Sequence, residues 1–114
     1  MSKSWRNTRE YRKWKIAVIR RDKRCIVCGS LKNRQAHHLN SASYFIADRF
    51  NVDNGVCLCK EHHKMFHTSY KNSYRQKATK KDFANFLEMM IKISNETGFY
   101  NKDKMIEFRK RIVK

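Results

Sequence analysis

The chain has 114 residues, enough for one domain or one domain with an extension, and it can bury only a modest core, so a structural metal would help it fold. Its 27 Lys and Arg against 10 Asp and Glu give a formal charge of +17 and an isoelectric point of about 10.1, which fits attraction to a polyanion. No long apolar run exists and the N-terminal stretch is charged, which argues against a membrane and a signal peptide; in a reducing cytoplasm, the expected setting, four cysteines read as metal ligands before disulfides.

In chain order, Asn7-x-x-Glu10 reads as a capping box that opens a helix, with Asn7 as the cap. Tyr11, Trp14 and Val18 fall on one face of that helix, with Ile19 beside it. Arg9, Arg12, Lys13 and Arg20 fall on the other, and the end is expected near Arg21-Asp22. Cys25-Ile-Val-Cys28-Gly29-Ser30 reads as a tight knuckle in which Gly29 is free to take a positive φ. Residues 34–39 are short enough for a strand. Asn40 to Asp53 is a long irregular connection, whose Tyr44, Phe45 and Ile46 are expected to pack inward as one helical turn.

Val56-Cys57-Leu58 reads as a second strand, followed by a helix from about Lys60 to Tyr70. Ser69 to Lys81 is polar, and its Lys71, Arg75, Lys77, Lys80 and Lys81 meet no acidic residue. It reads as a linker or a phosphate-facing loop. Thr79-x-x-Asp82 opens another helix with Phe83, Phe86, Leu87, Met90 and Ile91 as its apolar stripe and Gly98 as its end. Met105, Phe108 and Ile112 mark a last amphipathic segment.

Two short-spaced clasps stand out. Cys25-x-x-Cys28 and Cys59-x-x-His62 each let a turn present two ligands to one tetrahedral ion, and zinc favours such a thiolate-rich, closed set. Cys57 lies two positions before Cys59, on the same strand face, and is an alternative ligand. Cys59 is favoured because it runs into the x-x-His knuckle, which leaves Cys57 as a core thiol. All five histidines lie within residues 37–67. His37 and His38 are strand neighbours and must face opposite ways, so one can bind a metal while the other stays free. His63 and His67 share one helical face, and His62 is turned about 100° from His63, so two metal sites can sit side by side without sharing ligands.

Together Cys25-x-x-Cys28-Gly29, His37-His38, Asn54 and Leu58-Cys59-x-x-His62-His63 resemble the zinc-containing HNH endonucleases. The segment from Tyr11-x-x-Trp14 to Arg21-Asp22 is similar to the one that often leads into that family's first knuckle, so the resemblance spans about residues 11 to 70. It implies an α+β fold in which a β-hairpin and a helix clasp one catalytic metal (ββα-metal), here with a zinc knuckle and flanking N-terminal and C-terminal helices. It implies His38 as general base, Asn54 as the residue that orients loop and base, and His37 and His63 as ligands of the catalytic metal. His67 matches a further ligand found in some members. His62 stands where the commonest pattern has a second Cys.

The implied cofactors are structural Zn²⁺ and a catalytic Mg²⁺, Mn²⁺ or Ni²⁺, and the implied substrate is DNA, cut to 5′-phosphate and 3′-hydroxyl ends. Arg12, Lys13 and Arg20, with Lys71, Arg75 and Lys77, are the expected phosphate contacts. Residues 1–81 would form the nuclease core and 82–114 a helical extension that packs on it, pairs with a second copy or lies on DNA. Small members of the family are often phage-encoded, and many are homing endonucleases. The rival readings are an accessory nuclease with a phage packaging partner, and a zinc-stabilised nucleic-acid-binding module without catalysis. The last accounts for the charge and the clasps but leaves His37, His38, Asn54, His63 and His67 unexplained.

Overall fold

The computed structural model describes residues 4–70 and 77–113. Among them the chain is a small α+β unit with one two-stranded antiparallel sheet and four α-helices. Helix α1 spans Arg9–Asp22 and buries Trp14 and Val18. Its cap is Thr8, one residue later than the Asn7 expected. Asn7 closes a 3-10 turn over Trp5–Asn7, its N–H bonded to Ser4 O. Thr8 Oγ1 then accepts from Tyr11 N at 3.2 Å and donates to Trp5 O at 2.6 Å, joining turn to helix.

Strands β1 (Arg34–His38) and β2 (Gly55–Cys59) pair antiparallel, with Gln35 opposite Leu58, His37 opposite Val56 and His38 opposite Gly55. Every residue of β2 is buried. Helix α1 lies close over the hairpin because Gly55 has no side chain. A Cβ there would meet Val18 Cγ2 at 2.4 Å and Trp14 Cζ2 at 2.8 Å. The Arg21 guanidinium donates to Val52 O and Gly55 O, and Asp22 accepts from Cys57 N, so the end of α1 is tied to β2.

The connection between the strands departs from expectation. Tyr44 and Ile46 are 55% and 68% exposed, and only Phe45 of the three is half-buried. The loop is held by polar bonds instead. Arg49 donates from Nε and one Nη to Ala42 O, Ser41 N and Oγ both donate to Ala78 O, and Ala42 is the residue that turns inward.

The expected helix after β2 is divided. Helix α2 covers Lys60–Met65, and Phe66–Tyr70 continue as a π-helical turn. Helix α3, Lys80–Thr97, has the capping box read from its sequence: Asp82 N donates to Thr79 Oγ1 and Thr79 N to Asp82 Oδ2. Gly98 ends it at φ +75°. Helix α4, Lys102–Ile112, packs back on α3. Phe83, Phe86, Leu87 and Met90 of α3 and Met105 and Phe108 of α4 join Val56, Leu58 and Phe66 in one core.

Candidate metal centres and the cleft between them

Four ligands converge from three places in the chain. Cys25 and Cys28 come from the knuckle after α1, Cys59 from the last position of β2, and His62 from the first turn of α2. The knuckle is closed by Gly29 at φ +76°, and Ile26 N bonds to Cys57 O to seat it against β2. The Cys28 and Cys59 sulfurs lie 3.8 Å apart, and His62 Nδ1 lies 3.2 Å from Cys59 Sγ and 3.9 Å from Cys25 Sγ. Zn–S bonds of about 2.3 Å place tetrahedral sulfurs about 3.8 Å apart, so the donor set fits a closed zinc site. Burial raises the Cys25 thiol and pushes Cys28 up to about 12, a cost that a bound cation would offset by stabilising thiolate. Cys57 is buried and is not one of these four.

A second cluster lies beside the first. His37 from β1, His63 from α2 and His67 from the π turn each offer a ring nitrogen, all within 4.8 Å of one another. His63 and His67 approach through their Nε2 atoms at 3.2 Å. The π turn is a wide geometry that is rare in helices and concentrated at functional sites; here it carries His67. His37 is 4% exposed, its ring packs edge-on to Phe66 and tilted against Phe83, and its Nε2 is buried without a hydrogen-bond partner among the described residues. Burial, with His63, His67 and His38 adding to it, holds the His37 imidazole well below its usual pKa. Burial also lowers His63, and lowers His67 to about 4. Three neutral imidazoles, one with an orphaned buried nitrogen, fit a divalent cation with positions left open.

His38 faces the other way. Its ring stacks on Trp14 at 3.9 Å between centroids and 9° between planes, and its Nε2 donates to Arg49 O at 2.9 Å. That bond leaves Nδ1 as the nitrogen able to accept a proton. Burial is the main cause that lowers His38 to about 4, so the ring is neutral near pH 7. Both faces of β1 reach one cleft of about 600 Å³, bordered by His37, His38, His63 and His67 and by Trp5, Arg6, Tyr11 and Tyr44. Asn54 is not in this wall. It is buried at 1% exposure, donates from Nδ2 to Asn40 O and Asp48 O, and accepts from Asn40 N. It thereby pins the loop that brings Arg49 O to His38.

Residues 25–70, which include both clusters and His38, match the family model described as HNH endonuclease. The match supports membership of the HNH endonuclease family. No curated protein and no solved structure matches the chain. The hairpin, helix and metal-capable clusters are consistent with the ββα-metal fold of HNH proteins.

Several features of this site escape a reading of the sequence. Gln35 Oε1 accepts from His63 Nδ1 at 2.5 Å, which fixes the tautomer and turns Nε2 toward the cluster. The available signal was strand alternation, since Gln35 and His37 share a face of β1. Arg6 borders the cleft from a segment that carried no motif. Of the expected phosphate contacts, Arg12, Lys13 and Arg20 are exposed on α1, and Lys77 is exposed with its Nζ 5.0 Å from the Phe45 ring centroid. Lys71 and Arg75 lie outside the described residues. No helix among the described residues is long and apolar enough to cross a membrane.

Proposed function

We propose that this chain is a metal-dependent HNH endonuclease that hydrolyses phosphodiester bonds in DNA. One observation carries the reading: a cation-capable trio, His37, His63 and His67, and a neutral histidine with one nitrogen committed, His38, open onto the same cleft. A zinc-stabilised binding module would have no use for that pairing.

In this reading His38 Nδ1 takes a proton from the water that attacks phosphorus, while Arg49 O holds the opposite nitrogen. A divalent ion on His37, His63 and His67 would neutralise charge on the scissile phosphate and the departing 3′ oxygen. Mg²⁺ prefers oxygen donors, and the imidazole trio equally suits Mn²⁺ or Ni²⁺. Asn54 keeps the loop in place and touches no substrate. Cys25, Cys28, Cys59 and His62 hold structural zinc. Arg12, Lys13 and Arg20, with Lys71, Arg75 and Lys77, supply phosphate contacts that hold DNA without reading its sequence. The products are 5′-phosphate and 3′-hydroxyl ends. Residues 1–81 form the catalytic core and 82–114 a helical extension of the same domain.

The test is incubation of supercoiled plasmid with the purified protein and each of Mg²⁺, Mn²⁺, Ni²⁺ and Zn²⁺. Nicked or linear product that disappears in His38→Ala and His63→Ala supports the proposal. Tight DNA binding with no product under any ion would favour the binding module.

A further inference from the structure

We propose that Trp14 is a positioning residue for His38, an inference that rests on the nuclease reading above. The indole lies flat against the imidazole, 3.9 Å between centroids and 9° between planes. It is itself fixed on two sides. Its Nε1 donates to Asn51 O at 2.8 Å, and the opposing strand position is Gly55, where a Cβ would come within 2.8 Å of the indole. Gly55 is also the register partner of His38. Three elements therefore meet in one stack: α1 supplies the ring, β2 supplies the gap, and β1 supplies the histidine.

The stack answers a mechanical question. The Nε2 bond to Arg49 O restrains one atom of the imidazole but permits the ring to swing about that contact. A flat, buried indole against the ring removes the swing and fixes the plane in which Nδ1 must meet a proton. Tyr11 and Trp5 add to the enclosure, Tyr11 nearly parallel to His38 at 6.3 Å and Trp5 edge-on at 5.6 Å. Trp14 is 2% exposed and does not border the cleft, so it touches no substrate and acts through His38 alone.

The experiment compares the zinc-loaded full chain with Trp14→Phe, which keeps a flat ring and loses the Nε1 donor, and Trp14→Leu, which keeps apolar bulk and loses the ring. In proton NMR, the His38 ring protons, assigned by their absence in His38→Ala, are expected upfield from the indole ring current in the wild type. The shift should persist in reduced form in Trp14→Phe and fall in Trp14→Leu to the small residual left by Tyr11 and Trp5. In plasmid nicking, Trp14→Leu should lose about 10-fold to 10²-fold in kcat, the scale of a misplaced catalytic group, with KM and zinc content unchanged. Trp14→Phe should recover most of that loss.

Wild-type kcat in a folded Trp14→Leu would overturn the proposal, as would equal losses in both variants. Unshifted His38 protons in the wild type would overturn it even if neither variant folded. If the wild type cut no DNA with any ion, the nuclease reading would fall. The NMR comparison would then decide the stack alone, and a shift retained in full in Trp14→Leu would count against it.

Discussion

His63 meets Gln35 through Nδ1 and His67 through Nε2, so a strand residue 28 positions away sets which nitrogen faces the cation site. Removing that acceptor in Gln35→Leu should weaken the catalytic ion or lower activity by about 10-fold to 100-fold, the usual worth of a ligand's outer partner. Titrating cleavage against Mn²⁺ checks this, with zinc content unchanged as the control. His38→Ala should cost about 10²-fold or more in kcat while DNA affinity and zinc stay near wild type. That His63 and His67 would converge with one of the His37–His38 pair was legible in the sequence, because residues four apart share a helical face and strand neighbours face apart. Gln35 was not, because a lone glutamine in a strand has no spacing of its own. The same holds for Trp14, whose apolar periodicity announces burial but not the histidine that it is buried against.

The structural elements divide according to how local their causes are. Thr79 and Asp82 form their capping box within four residues, and the sequence reading of α3 was correct from cap to Gly98. Thr79→Ala should therefore cost ~1 kcal/mol, measurable as a shift in denaturation midpoint. At α1 the box read on Asn7 fell one residue early, because a 3-10 turn had already used the Asn7 N–H. Tyr44 and Ile46 were expected inside on their hydrophobicity. Bonds to backbone carbonyls from the Arg49 guanidinium and from Ser41 chose Ala42 instead, and such polar ties leave no local pattern. The knuckle joins α1, β2 and α2 through one ligand set, so Cys59→Ser should lower both zinc stoichiometry and melting temperature. Elemental analysis with a thermal scan tests the pair. A wild type without tightly held zinc would refute the structural role.

For the whole molecule, the charge of +17 makes binding to DNA a matter of ionic strength. If about six phosphates are neutralised, log affinity should fall against log salt with a slope near about −5. A flat salt titration would mean that the charge is not a DNA footprint. The C-terminal helices bring Phe83, Phe86, Leu87, Met90, Met105 and Phe108 into the same core as Phe66 and Cys25. Tyr100 lies edge-on to His62 at 5.3 Å, and Asn101 N donates to Val27 O, so the turn between α3 and α4 rests on the knuckle. Deleting residues 82–114 should abolish zinc retention and cooperative unfolding together, rather than leave a smaller nuclease. Site selectivity of the homing kind must then be sought in the intact chain, where digestion of a large DNA gives discrete fragments if it exists and a smear if it does not.

The hairpin is pinned at both ends, by Lys60 N to Asn33 O and by Leu39 N to Asn54 O. Between those pins two adjacent histidines open to opposite sides of a five-residue strand. A single residue inserted between Gln35 and Ala36 would preserve every letter of the motif. It would also rotate Gln35 out of phase with His37 and force either the pins to break or the two histidines to trade places. On the proposed mechanism the chemistry is spelled in parity: odd positions of the strand would serve the cation and the even position 38 the proton. A second inserted residue should restore the phase that the first destroys, though not the length.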